Sequence, residues 1–360
     1  MGRVVASFLS CVVLVAAWGG VAVATPDAPD VASEEPAPAP VEAAPAPALD
    51  PAMSVGSLLR SLGEPPPDHW IDPTPELVAQ GRALVMEGRA VDPFGRPGSI
   101  QSPAFVCTDC HNLDREDPNL LVSDPEARLT YAAENDLPFL PGTSLWGVVN
   151  REAWFNDDYI KKYGSLVKPA NDSLRWALQL CSAECSQGRM LEGWEMDAVL
   201  AFLWTLQITV GDLALDEEAT AAVQAGLADP AARPAAVLAV KSAFLPGSPA
   251  HTGNAPADRE AGYGNPGDPA RGKLIYERTC LTCHEAGGPG TYRFGSSRAS
   301  YAELLGNRTQ DNNWSLYTAV RYGTRPYGVP MAYMPFFTQE RMSDQQLDDL
   351  VAFLKTEVEK

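Results

Sequence analysis

Two pentapeptides, Cys107-Thr108-Asp109-Cys110-His111 and Cys280-Leu281-Thr282-Cys283-His284, share the pattern Cys-x-x-Cys-His. This is the spacing of c-type haem attachment. Two thiols so placed add to the two vinyl groups of one haem, and the adjacent imidazole reaches its iron from the proximal side. Zinc knuckles and thioredoxin-like pairs use related spacings. Two copies, each closed by a histidine and together taking two of the four histidines, favour haem over both. Two covalently bound haem c groups are expected, with Cys107, Cys110, Cys280 and Cys283 as attachment sites. His111 and His284 are the expected proximal iron ligands.

Each motif needs helices to position it, and the sequence supplies them twice. Thr74-Pro75 reads as N-cap and first helical residue, followed by Leu77, Gly81, Leu84 and Val85 on one face. Asp268-Pro269 opens the second copy, ahead of Gly272, Ile275 and Tyr276. A closing helix follows the capping box Ser343-x-x-Gln346, with Leu347, Leu350, Val351 and Leu354 at helical spacing. Met196, Val199, Leu200 and Leu203 repeat that pattern 151 positions earlier. A middle helix repeats as well, Ser173-Leu174-x-x-Ala177-Leu178 against Ser315-Leu316-x-x-Ala319-Val320, at an offset of 142. Self-similarity at three places argues duplication of one unit.

The chain resembles class I c-type cytochromes, twice over, across most of residues 74–207 and 262–360. The resemblance implies an all-α fold of two tandem cytochrome c domains, 53–207 and 262–360, joined by a partly helical connector, 208–261. It also implies that Gly81 and Gly272 mark close crossings by the closing helices. In Thr143-Ser144-Leu145-Trp146-Gly147-Val148-Val149-Asn150-Arg151, Arg151 takes the place of an arginine that contacts a haem propionate. Arg308 is a weaker match in the second copy. Tyr333-Met334-Pro335-Phe336 matches the family's Met-Pro, making Met334 the expected sixth ligand of the second haem, with Met331 as runner-up. A neutral thioether stabilises ferrous iron and raises the potential.

The first copy departs from that pattern. Position 183, which is 151 before Met334, is an alanine, and the ligand-bearing loop is nine residues shorter. It reads Cys181-Ser182-Ala183-Glu184-Cys185-Ser186-Gln187-Gly188-Arg189-Met190-Leu191. Leu174, Leu178 and Cys181 share a helical face, so Cys181 is directed toward the haem. The segment is similar to the cysteine-ligand motif of diheme thiosulfate dehydrogenases and related sulfur-oxidising cytochromes. Cys181, Gly188 and Leu191 match that motif, whereas Ser182, Cys185 and Gln187 stand where it has Phe, Ser and Asn. By this resemblance Cys181 is iron ligand and catalytic residue. A thiolate lowers the potential of its iron and suits a substrate-side haem. Cys185, Met190 and His69 remain alternatives, and a Cys181–Cys185 disulfide would leave Met190. His69 and His251 read as exposed histidines.

Composition bounds the partners. With 27 Lys+Arg against 46 Asp+Glu, the net charge is -19, which excludes a nucleic-acid footprint and favours a basic redox protein. Lys161, Lys162, Lys168, Arg175 and Arg189 give local positive charge near the first haem, where a small sulfur anion would need it. Arg3 before the uncharged run Val4–Ala24, ending Ala22-Val23-Ala24, reads as a secretory signal over residues 1–24, or as an anchor if uncleaved. Cys11 lies in a poor lipobox. The Ala/Pro/acidic stretch 25–52 reads as a disordered spacer.

An exported electron carrier of the periplasm or cell envelope follows, touching a membrane only through an uncleaved leader or a complex. It reads as a thiosulfate dehydrogenase-like oxidoreductase, with a non-catalytic carrier subunit as the alternative and a diheme peroxidase as the third. In the connector, Glu217–Leu227 and Pro234–Phe244 read as short helices. The loop Met86–Phe105, which accommodates an 18-residue excess before the first motif, is placed to shape access to the first haem.

Overall fold

The computed structural model describes residues 48–310, 315–324 and 334–360. The expected leader, most of the spacer and Met331 lie outside these. The described residues form one compact unit. The described residues hold helices and isolated bridges but no strand, so the fold is all-α.

In the first half, α1 (Val55–Ser61), α2 (Pro75–Glu87) and α3 (Pro125–Glu134) precede α4 (Leu174–Leu180) and α5 (Gly193–Leu203). In the connector, α6 (Glu217–Ala228) and α7 (Arg233–Lys241) pack on α1 around Leu58, Val223, Ala236 and Val240. They lie close to the expected spans, although α7 stops at Lys241 rather than reaching Phe244. The second half contains α8 (Pro269–Ile275), α9 (Arg298–Asn307), α10 (Leu316–Tyr322) and α11 (Asp344–Glu359). Thr74 and Asp268 cap α2 and α8, and Ser173 and Ser315 cap α4 and α10 through their side-chain oxygens. The Ser343–Gln346 capping box opens α11.

The two halves repeat one crossing. A Cβ on Gly81 would sit 1.9 Å from the Ala198 carbonyl oxygen and 2.8 Å from Phe202 Cβ. On Gly272 it would sit 2.0 Å from the Asp349 oxygen and 2.7 Å from Phe353 Cβ. Ala198 and Phe202 precede Asp349 and Phe353 by 151 positions, the spacing of the closing-helix pattern. Each helix before a Cys-x-x-Cys-His motif therefore presses its backbone directly onto its closing helix, which only glycine permits. The helices then differ. α8 runs through a π-turn, Tyr276–Cys280, straight into Leu281–His284. α2 stops at Gly88, in the left-handed region at φ 71°, and the long loop intervenes before Cys107.

Candidate haem site

Both motif histidines are held in the same way. His111 Nδ1 lies 2.6 Å from the Thr143 carbonyl oxygen, and His284 Nδ1 lies 2.7 Å from that of Tyr292. A carbonyl only accepts, so Nδ1 carries the proton and Nε2 keeps the lone pair that a metal needs. Burial pushes both imidazoles below the usual histidine range, toward this neutral form. A glycine backs each motif. Gly142 N–H donates to Cys110 O (2.8 Å) and Gly290 N–H to Cys283 O (2.9 Å). A Cβ on Gly142 would lie 2.4 Å from His111 Cε1, and one on Gly290 would lie 2.7 Å from Cys283 O and 3.3 Å from His284 Nδ1. These glycines belong to Pro141-Gly142-Thr143 and Pro289-Gly290-Thr291, a repeated tripeptide whose Pro-Gly is a turn signal visible in the sequence.

The first motif opens into a largely apolar cavity of about 1570 Å³, including its open mouth. Cys107, Cys110 and His111 line it, together with Leu174, Leu178, Cys181 and Cys185. The expected face of α4 thus points inward. Cys181 and Cys185 occupy a π-turn that continues α4, and both thiols are free. They hydrogen-bond to each other, so the S–H of Cys181 lowers the pKa of Cys185 while Cys181 itself is raised. Cys185 is also bonded to Tyr163 Oη at 3.3 Å, whereas the charges acting on Cys181 include those of Cys107 and Cys110. Gly188 fixes the segment, since a Cβ there would meet Gln101 O at 2.3 Å. The preceding residue, Gln187, takes φ 55°, a left-handed position that Asn tolerates better. Gln101 and Phe105, from the long loop, line the cavity beside the thiols.

The other expected ligands lie elsewhere. Met190 is 52% exposed and is not among the lining residues. His69 is not exposed as expected but 3% exposed, flanked by Trp154 and Trp204. Its Nε2 lies 3.0 Å from Val149 O and its Nδ1 3.2 Å from Asp68, so both ring nitrogens are engaged. The aromatic sandwich that buries it depends on residues 85 and 135 positions away, beyond the reach of local pattern. His251 is exposed and bonded to Glu340.

The positive charge also differs from expectation. Lys161, Arg175 and Arg189 are paired with Asp158, Asp197 and Glu195, and none of the five expected basic residues lines the cavity. The cations that do line it are Arg151, bonded to Thr143 Oγ1 at 3.1 Å, and Arg341, which the sequence reading missed. Arg308 instead pairs with Glu260 at 2.6 Å.

The second half closes the first cavity. Pro335, Phe336, Thr338 and Arg341 line it, and Phe336 packs against Tyr159 at 5.8 Å and Tyr163 at 6.5 Å. Met334, like Cys280 and Phe294, packs on the second core, and its N–H donates to Thr324 Oγ1 at 2.9 Å. The motif loops also meet. Phe139 N–H donates to Arg278 O and Thr279 Oγ1 donates to Phe139 O, each at 2.8 Å. Charge on Cys283 acts on Cys110, and charge on Asp109 acts on both thiols.

Among known families, the one described as cytochrome C oxidase, cbb3-type, subunit III matches residues 267–354. No curated protein and no solved structure matches the chain. The matched span includes the second motif and Met334. The chain therefore carries a cytochrome c domain, whose covalent haem c serves electron transport. Among the described residues no helix is long and apolar enough to cross a membrane.

Proposed function

We propose that the chain is an exported diheme c-type cytochrome of the periplasm or cell envelope, built from cytochrome units at 53–207 and 262–360. In this reading electrons pass from a donor at the first haem to an acceptor, a basic redox protein, at the second. Cys107, Cys110, His111 and Cys181 would hold the first haem, and Cys280, Cys283, His284 and Met334 would hold the second. The observation that carries the reading is the apolar cavity with His111 and the Cys181–Cys185 pair in its lining.

Bound haem supplies one-electron chemistry, with a potential set by its axial ligands. The chain's residues supply the rest. Thr143 and Tyr292 fix the tautomers of His111 and His284. Cys185, hydrogen-bonded to Cys181 and to Tyr163 Oη, holds the Cys181 side chain in the lining of the first cavity. Phe336, two residues from Met334, lines the first cavity and so joins the second centre to the first.

A thiolate-poised first centre beside a thioether-poised second centre makes transfer from first to second favourable. The substrate we infer is thiosulfate or a related sulfur anion. Coupling two such anions through a new S–S bond releases two electrons, one for each centre. The test is anaerobic mixing of oxidised full-length holoprotein with thiosulfate, followed in the visible haem bands. The reading expects reduction in the native protein and its loss in Cys181→Gly. No reduction by thiosulfate would leave a two-centre electron carrier.

A further inference from the structure

Arg341 stands two residues before the capping serine of α11, in the second half, yet lines the cavity of the first motif. It is 3% exposed. Its Nη1 pairs with Glu116 at 2.6 Å and its Nη2 donates to Leu140 O at 3.0 Å, but its Nε has no partner. Thr338, equally buried and in the same lining, has an Oγ1 without a partner. Two buried polar groups of one turn are thus unsatisfied in one cavity, which costs free energy unless a ligand completes them.

The charge balance points the same way. Arg128, Arg341 and Arg151 gather around Glu116 and Asp117. Arg128 and Arg341 are buried against the one buried carboxylate of Glu116, with Arg151 and Asp117 half-buried beside them, so three cations face two carboxylates and an anionic group would complete the balance. Position 190, which is 151 before Arg341, is the exposed Met190, so the feature belongs to one half only.

We propose that Arg341 and Thr338, carried by the second half, form with Arg151 a carboxylate cradle for a propionate of the first haem. This rests on the reading that the cavity holds haem. The first centre is then a composite site, incomplete without the second half, and the two halves cannot separate without disturbing it. A guanidinium on a propionate stabilises the extra electron of the reduced centre, so its removal lowers the first potential.

The test uses full-length holoprotein and a redox titration in which EPR resolves the two haems. Arg341→Gln is made in the native background and in Glu116→Gln, where no carboxylate is left unpaired if the native pair was all that mattered. In both backgrounds Arg341→Gln should shift the first haem's reduction equilibrium on the order of tenfold toward oxidised, about 59 mV for one electron. Thr338→Val should shift it in the same direction by less, and the second haem should not move. An Arg341→Gln effect that vanishes in the Glu116→Gln background would overturn the cradle, making Arg341 a structural partner of Glu116. So would a change confined to the thiosulfate KM, which would assign the cradle to a free oxyanion. Haem content is measured on the same samples, and fewer than two haems per chain refutes the underlying reading instead.

Discussion

Replacing Gly142 by alanine tests how tightly the chain grips His111, the histidine of the first motif. The new Cβ would lie 2.4 Å from His111 Cε1 and 2.5 Å from Nδ1, about 1.0 Å short of the 3.4 Å at which ordinary contact begins. The ring cannot yield freely, because Nδ1 is held 2.6 Å from Thr143 O. The loop cannot yield either, because Gly142 N–H is bonded to Cys110 O and the Cβ would meet that oxygen at 2.7 Å. Overpacking of this kind costs about 1–3 kcal/mol. Alanine recovers about 0.4–1 kcal/mol by restricting the unfolded chain. We expect a net loss of about 1–2 kcal/mol and a tilted imidazole. Gly290→Ala meets His284 only at 3.3 Å, so it should disturb the second haem's ligand field less while still straining the Cys283 carbonyl. The assay is guanidinium unfolding followed in the Soret band, with EPR of the folded proteins. Unchanged first-haem g-values and stability within about 0.5 kcal/mol in Gly142→Ala would refute the reasoning.

Gly81→Ala and Gly272→Ala should each destabilise the protein by about 2 kcal/mol or more, because the clash is with backbone of the crossing helix; Gly193→Ala, with nothing within 4 Å, should be close to neutral in the same unfolding assay. Burial opposes ionisation of Glu116, but Arg341 and Arg128 outweigh it and hold the carboxyl at about 2 against 4.5. A depressed folded pKa contributes stability above the unfolded value, so about 3 kcal/mol should be lost as pH falls from about 4.5 to 2. Unfolding curves across that range should show a shallower slope in Glu116→Gln. Gly188→Ala should displace the thiol segment from Gln101 and broaden the first haem's EPR signal.

Much of this arrangement is legible in the sequence because it is local. The motif spacing, the caps Thr74, Asp268 and Ser343, and the inward face Leu174-Leu178-Cys181 all follow from rules spanning at most eight residues. The crossing glycines were legible only through resemblance, since Gly81 and Gly272 contact helices 117 and 77 positions away. Arg341 was not legible at all. Its partner Glu116 lies 225 residues earlier, and its counterpart in the repeat is an exposed methionine, so neither periodicity nor duplication points to it. The expected basic cluster failed for a related reason. Lys161, Arg175 and Arg189 are positive in composition but neutralised by Asp158, Asp197 and Glu195 once folded.

The central claim is that two haems with unlike axial ligands sit in this chain. Low-temperature EPR of the oxidised, haem-loaded protein tests it most directly. The account predicts a narrow low-spin ferric signal of the thiolate type, abolished in Cys181→Ser, beside a broader His/Met signal lost in Met334→Ala. Two signals of the His/Met type, with no thiolate component, would contradict it.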